Sequence, residues 1–159
     1  MTMRRTQALL ILFILCVSSL TAVAEEPKTP SFDPELARKL GADERGMKTY
    51  VLCILKAGPN DAKVLGKERD GIFAGHFANI GRLAKEGKLA VAGPFGKNDR
   101  SWRGLYIFNV PTVEEAEKLV ILDPAVKAGV FAYELTSWYG SAALMIVPET
   151  HKRIEKPAN

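Results

Sequence analysis

Few residues in this chain are equipped for catalysis. Of its two histidines, only His76 stands in an apolar-periodic segment. Between about Asp70 and Glu86, the residues Ile72, Phe73, His76, Ile80, Leu83 and Ala84 recur at spacings of three and four, which predicts a helix that turns His76 inward. An imidazole in that position must find partners for its ring nitrogens. It is either a satisfied core or cleft histidine, or an acid/base or ligand residue. His151 lies in a polar terminal stretch and reads as solvated. Asp123 stands just before Pro124, where a second predicted helix stops. It is either the ordinary aspartate of a helix terminus or turn, or the carboxylate that fixes the tautomer of His76 and raises its basicity.

Arg103 follows Trp102 after the loop Asn98-Asp99-Arg100-Ser101. That loop is either a solvated hairpin connection or a cover over an anionic substrate, with Arg103 binding a carboxylate in bidentate fashion. Gly93-Pro94-Phe95 predicts a fixed turn, which makes Pro94 and Phe95 candidate substrate-binding residues. Cys53 lies in the apolar run Tyr50 to Leu55 and reads as a small core hydrophobe. The sequence holds no H-E-x-x-H, no paired C-x-x-C, no Walker glycine loop and no G-x-S-x-G. One histidine without a second clustered ligand makes metal or haem binding the weakest reading, and neither a metal nor a cofactor is expected.

The elements that must position these residues follow from pattern. Tyr50 to Leu55 is a first strand, stopped by Gly58-Pro59-Asn60-Asp61. After the His76 helix, Leu89 to Ala92 and Gly104 to Val110 are two further strands, expected to pair as neighbours. Thr112 with Glu115 matches a capping box and opens a helix with Val113, Ala116, Leu119 and Val120 on its apolar side. That helix ends near Asp123-Pro124. Val130 to Trp138 is the last strand, with Ala142 to Val147 an extra edge strand or arm and residues 148–159 a loose polar end. Before the first strand, Asp33-Pro34 predicts a short helix that Gly41 closes. The order strand, helix, strand, strand, helix, strand is the ferredoxin-like split βαβ (βαββαβ) of an α+β domain, with both helices on one face of an antiparallel sheet. The apolar strands leave a second face to hide, which predicts a homodimer.

Arg4 and Arg5, the uncharged run from Ala8 to Val17 and the triplet Ala22-Val23-Ala24 predict a signal peptide over residues 1–24, cleaved after Ala24. The apolar run is short for a membrane span. The expectation is therefore export to the periplasm or the extracellular space, with no membrane association after cleavage. Residues 25–46 are read as a linker with a short helix, 47–140 as the folded domain and 141–159 as a C-terminal extension and polar tail. Cleavage takes the basic count from 22 to 20 against 18 acids, so the net charge falls from +4 to +2. With no dense run of Lys and Arg, nucleic acid is not an expected partner. Cys16 leaves with the signal, so Cys53 has no partner for an intrachain disulfide.

Taken together, His76, Gly93-Pro94-Phe95, Arg103-Gly104, Glu114-Glu115-Ala116 and the run from Asp123 to Gly129 resemble the YCII-related (YciI-like) family. The flanks Leu36 to Glu44 and Trp138 to Met145 resemble a longer, exported branch of it. The resemblance implies a dimeric ferredoxin-like α+β barrel with an active site on the histidine and aspartate, here His76 and Asp123. The expected function is that of a cofactor-free enzyme of lyase or isomerase type acting on a small molecule by general acid/base chemistry. The alternative is a non-catalytic ligand-binding module of the cell envelope.

Overall fold

The structure is a computed structural model that describes residues 31–156. The signal peptide expected at 1–24, the adjoining residues 25–30 and residues 157–159 lie outside the described residues. The chain divides into two units, Met1–Phe32 and Asp33–Asn159, and the candidate residues all belong to the second.

That unit opens with α1 (Pro34–Leu40). Asp33 Oδ1 accepts from the amides of Glu35 and Leu36 at 3.0 and 2.9 Å, and Gly41 closes the helix at φ 69°, a left-handed conformation that costs glycine little. The core elements follow as β1 (Met47–Ala57), α2 (Gly66–Lys85), β2 (Leu89–Pro94), β3 (Trp102–Phe108), α3 (Val113–Val120), α4 (Pro124–Lys127) and β4 (Phe131–Ser141). The strands form one sheet in the order β2-β3-β1-β4, and every neighbouring pair is antiparallel. This is the ferredoxin-like α+β arrangement, with β1 and β3 in the centre.

Strand alternation sorts the side chains. Val51, Cys53 and Leu55 of β1 share a face with their partners Phe108, Tyr106 and Gly104 of β3. They pack with Leu83 of α2 and with Ala116 and Val120 of α3 in the main core. Thr112 caps α3, its hydroxyl accepting from the Glu115 amide at 3.2 Å. α2 begins a turn earlier than apolar spacing predicts, because its first residues Gly66-Lys67-Glu68-Arg69 are polar and carry no hydrophobic period. On the other face of the sheet, Tyr50, Ala90 and Ile107 form a smaller cluster with Leu52, Leu105, Leu144 and Met145.

The C-terminal end departs from expectation. In place of an edge strand or arm and a loose polar tail, Ala142–Ile146 forms a 3₁₀ turn and Val147–Ile154 forms α5. Ser141 caps the turn, its hydroxyl accepting from the Ala143 amide at 3.3 Å. Pro148 stands in the first turn of α5 with Glu149, while His151, Lys152 and Arg153 stand in the last, the charge polarity that a helix dipole favours. Among the described residues no helix is long and apolar enough to cross a membrane.

Candidate functional site

α2 brings His76 to the sheet, and the short α4 brings Asp123 to His76. The approach depends on Gly75, where an added Cβ would lie 2.9 Å from Pro124 Cγ, closer than packed carbons tolerate. Asp123 is the N-cap of α4, its Oδ1 accepting from the Ala125 amide at 2.9 Å. The same carboxylate faces the imidazole, with His76 Nδ1 3.0 Å from Oδ1 and 2.9 Å from Oδ2. Asp123 is therefore both a helix-terminus aspartate and the partner of His76.

Two further side chains complete the cluster. The Tyr106 hydroxyl donates to Asp123 Oδ2 at 2.9 Å and lies 3.2 Å from His76 Nδ1. Asn79 Nδ2 donates to Oδ2 at 3.3 Å. The orientation of the Asn79 amide is fixed from its other end, where Arg82 Nη2 donates to Asn79 Oδ1 at 2.8 Å. A guanidinium has only donors, so the amide oxygen must face it and the NH₂ must face Asp123.

Asp123 has no exposed surface, and His76 is only 6% exposed. Burial pushes the Asp123 carboxyl up, yet the hydrogen bond and charge of His76, the Ala125 amide and the Tyr106 hydroxyl outweigh it and hold the group below the usual aspartate value. Asp123 is thus an anion at neutral pH. Tyr106 moves the opposite way: burial and then the Asp123 charge push its hydroxyl well above the ordinary tyrosine value, so it stays protonated and acts as a donor. A carboxylate accepts only, so Nδ1 of His76 carries the hydrogen that points at it. In the neutral ring Nε2 is then the nitrogen with the lone pair, and it has no hydrogen-bond partner among the described residues. No buried side-chain nitrogen or oxygen there lacks a partner, which leaves Nε2 on open space.

His76 also lines a cavity of about 310 Å³, together with Tyr106, Phe73, Phe77, Ile80 and Phe131, among others. Pro94 and Arg103 also line it. Phe95 is not among the lining residues; its ring packs on Trp102 with centroids 5.2 Å apart. The Arg103 guanidinium reaches Asp61, with Nε and Nη2 at 3.1 and 2.9 Å from Oδ2. Sequence reading did not single out Tyr106, Asn79 or Asp61. Asn79 follows His76 by three residues, a helical neighbour spacing that could have found it. Cys53 is buried and its thiol is pushed up to about 12 by burial and by the nearby Asp123 charge, which leaves it unreactive. Among the described residues no three His, Cys, Asp or Glu side chains gather in a way that could hold a metal ion.

Residues 49–139 match the family model of the YCII-related domain. No curated protein matches the chain. Among solved structures it is similar to 5-chloro-2-hydroxyhydroquinone dehydrochlorinase (TftG) from Burkholderia phenoliruptrix AC1100 in complex with 2,5-dihydroxybenzoquinone. The two are 27% identical, the match covers 56% of this chain and 92% of that one, and the TM-score is 0.41.

Proposed function

The chain belongs to the YCII-related domain family, and from the geometry around His76 we propose that it is a cofactor-free enzyme that moves a proton on a small molecule, in a lyase or isomerase type of reaction. The observation that carries this reading is the division of labour on the His76 ring. Nδ1 is engaged by a buried carboxylate, while the ring lines an apolar cavity. A base needs a lone pair aimed at the ligand and a partner that stabilises the imidazolium once formed; Nε2 supplies the first and Asp123 the second. In the forward step Nε2 takes a proton from an acidic C–H or O–H of the ligand. The electron pair left behind either expels a leaving group or shifts within the ligand, and the imidazolium then returns the proton to the leaving group or to a second carbon. Tyr106 and Asn79 hold the carboxylate in position. Pro94 and Arg103 serve as binding residues on the cavity wall.

Proton NMR in D₂O tests this reading by following exchange of ligand C–H for deuterium over a panel of small cyclic enones, hydroxyquinols and hydroxy acids. The expected result is exchange of at least one compound, lost in His76→Ala and reduced by about 10²- to 10⁴-fold in Asp123→Asn. Compounds that bind without exchange, with affinity unchanged in Asp123→Asn, would make the protein a ligand-binding module instead. We also infer that the protein acts after export and as a homodimer. Supporting observations are the Arg4-to-Ala24 pattern and the half-buried Leu52 and Leu105 on the sheet face away from α2 and α3. The mass of the secreted chain, beginning at Glu25, and its sedimentation as a dimer are the corresponding checks.

A further inference from the structure

We propose that the cavity selects a small organic monoanion, an apolar-bodied molecule with one carboxylate or phenolate, and that Arg103 is the selecting residue with Asp61 holding it in place. This rests on the proton-transfer reading only in setting the body of the ligand beside His76.

Arg103 is the one lining residue of the cavity with a permanent charge. It belongs to a three-membered ion cluster whose parts do different work. Asp61 Oδ1 accepts from Arg69 Nη2 at 2.8 Å, and Oδ2 accepts from Arg103. Two guanidinium groups share one carboxylate, so a single positive charge is left over. Arg69 spends three of its five N–H donors on protein acceptors and is not among the residues lining the cavity. Its Nη1 donates to the carbonyls of Asp61 and Val64 at 2.8 and 3.3 Å, and its guanidinium carbon lies over the Phe73 ring, 5.0 Å from the centroid.

Of the two guanidinium groups, the one that borders the cavity is that of Arg103. Its Nε and Nη2 edge faces Asp61, whereas Nη1 has no partner among the described residues. A guanidinium carries five N–H donors in a fixed fork, so the end edge, Nη1 with the second hydrogen of Nη2, remains free for a carboxylate or phenolate oxygen. The Asp61 side chain is 13% exposed against 42% for Arg103, which makes the aspartate the fixed member and the arginine the presented one. A cation already ordered by such a partner loses less freedom when a ligand arrives. Beyond Arg103 the cavity wall is mostly carbon, with Phe73, Phe77, Phe131 and Ile80 facing the ligand. One anionic head and one apolar body of about one ring's size match this distribution.

Isothermal titration calorimetry with benzoate and benzamide tests the proposal, because the two share shape and differ in charge. Wild type is expected to bind benzoate about tenfold more tightly than benzamide. Arg103→Gln should bring benzoate to the benzamide level and leave benzamide unchanged. Arg103→Lys, which keeps the charge and loses the fork, should fall between and covers the case of a Gln variant that does not fold. Asp61→Asn should weaken benzoate several-fold, since the freed guanidinium must then be ordered on binding. Equal affinities in wild type, no benzoate binding at millimolar concentration, or a preference that persists in Arg103→Gln each overturn the selection. Tighter benzoate binding in Asp61→Asn overturns the holding role of Asp61. These are equilibrium measurements: a benzoate preference without deuterium exchange on any ligand would remove the enzyme reading and leave this proposal standing, and exchange without a charge preference would do the reverse.

Discussion

Gly75 and Pro124 approach so closely that a methyl group on the glycine would sit 2.9 Å from Pro124 Cγ and 3.3 Å from its Cβ. The contact lies one residue before His76 and one after Asp123, so it sets how near those two side chains can come. Gly75→Ala gains about 1 kcal/mol of helix propensity and loses about 1–3 kcal/mol to overpacking. The expected result is a lower Tm together with a longer His76 to Asp123 contact. Thermal denaturation checks the first. The ¹⁵N shifts of the His76 ring check the second, by showing mixed tautomers in place of the single Nδ1–H form.

Asp123→Asn should change how stability depends on pH. The folded carboxyl binds its proton less readily than an ordinary aspartate, so ionised Asp123 contributes stability that is complete above the usual aspartate pKa. That contribution is lost as pH falls through about 4 and below. The gap in Tm between wild type and Asp123→Asn is therefore expected to be widest near neutral pH and to narrow in acid. Denaturation at a series of pH values checks it; a gap that grows as pH falls would contradict the assignment.

Tyr106→Phe removes one donor from a carboxylate that keeps its other partners. The expected cost is about 1–3 kcal/mol, because Asp123 Oδ2 loses a charge-assisted hydrogen bond inside the core. Urea denaturation measures it. Any catalytic defect should be smaller than that of Asp123→Asn, since the His76 tautomer is still set by the carboxylate.

Cys53 should resist alkylation. With its thiol pushed up to about 12, it offers almost no thiolate at pH 8 and no surface to a reagent. Iodoacetamide is expected to leave Cys53 unmodified in the folded protein and to label it in denaturant, as read by the mass of the peptide that carries it.

The fold was legible because its signals are local. The run Tyr50 to Leu55, the cap at Thr112 and the break at Gly58-Pro59 each mark an element without reference to distant residues. His76 and Asp123 could be paired in advance because the split βαβ order lays its helices side by side, so topology did the work that spacing alone could not. Tyr106 was harder. It alternates with Gly104 and Phe108 like any core aromatic, and only the arrival of Asp123, 17 residues further on, distinguishes its hydroxyl. Asp61 lay in a segment whose glycine and proline announced a turn, which masked the carboxylate's role as the anchor of Arg69 and Arg103. The C-terminal helix was missed for the opposite reason. Its side chains are largely exposed, so no apolar period separated it from a loose tail.

The cavity wall draws on every strand of the sheet: Leu55 from β1, Pro94 from β2, Arg103 from β3 and Phe131 from β4, with His76 from α2. None of these segments alone encloses a pocket, so an occupant can be held only by the fully assembled domain. Ligand capture and global unfolding are then linked by mass action, and a compound present at 100 times its Kd adds about 2.7 kcal/mol to the unfolding free energy. The melting temperature of the whole domain thus serves as a substrate detector, one that responds to any occupant before the reaction itself has been identified.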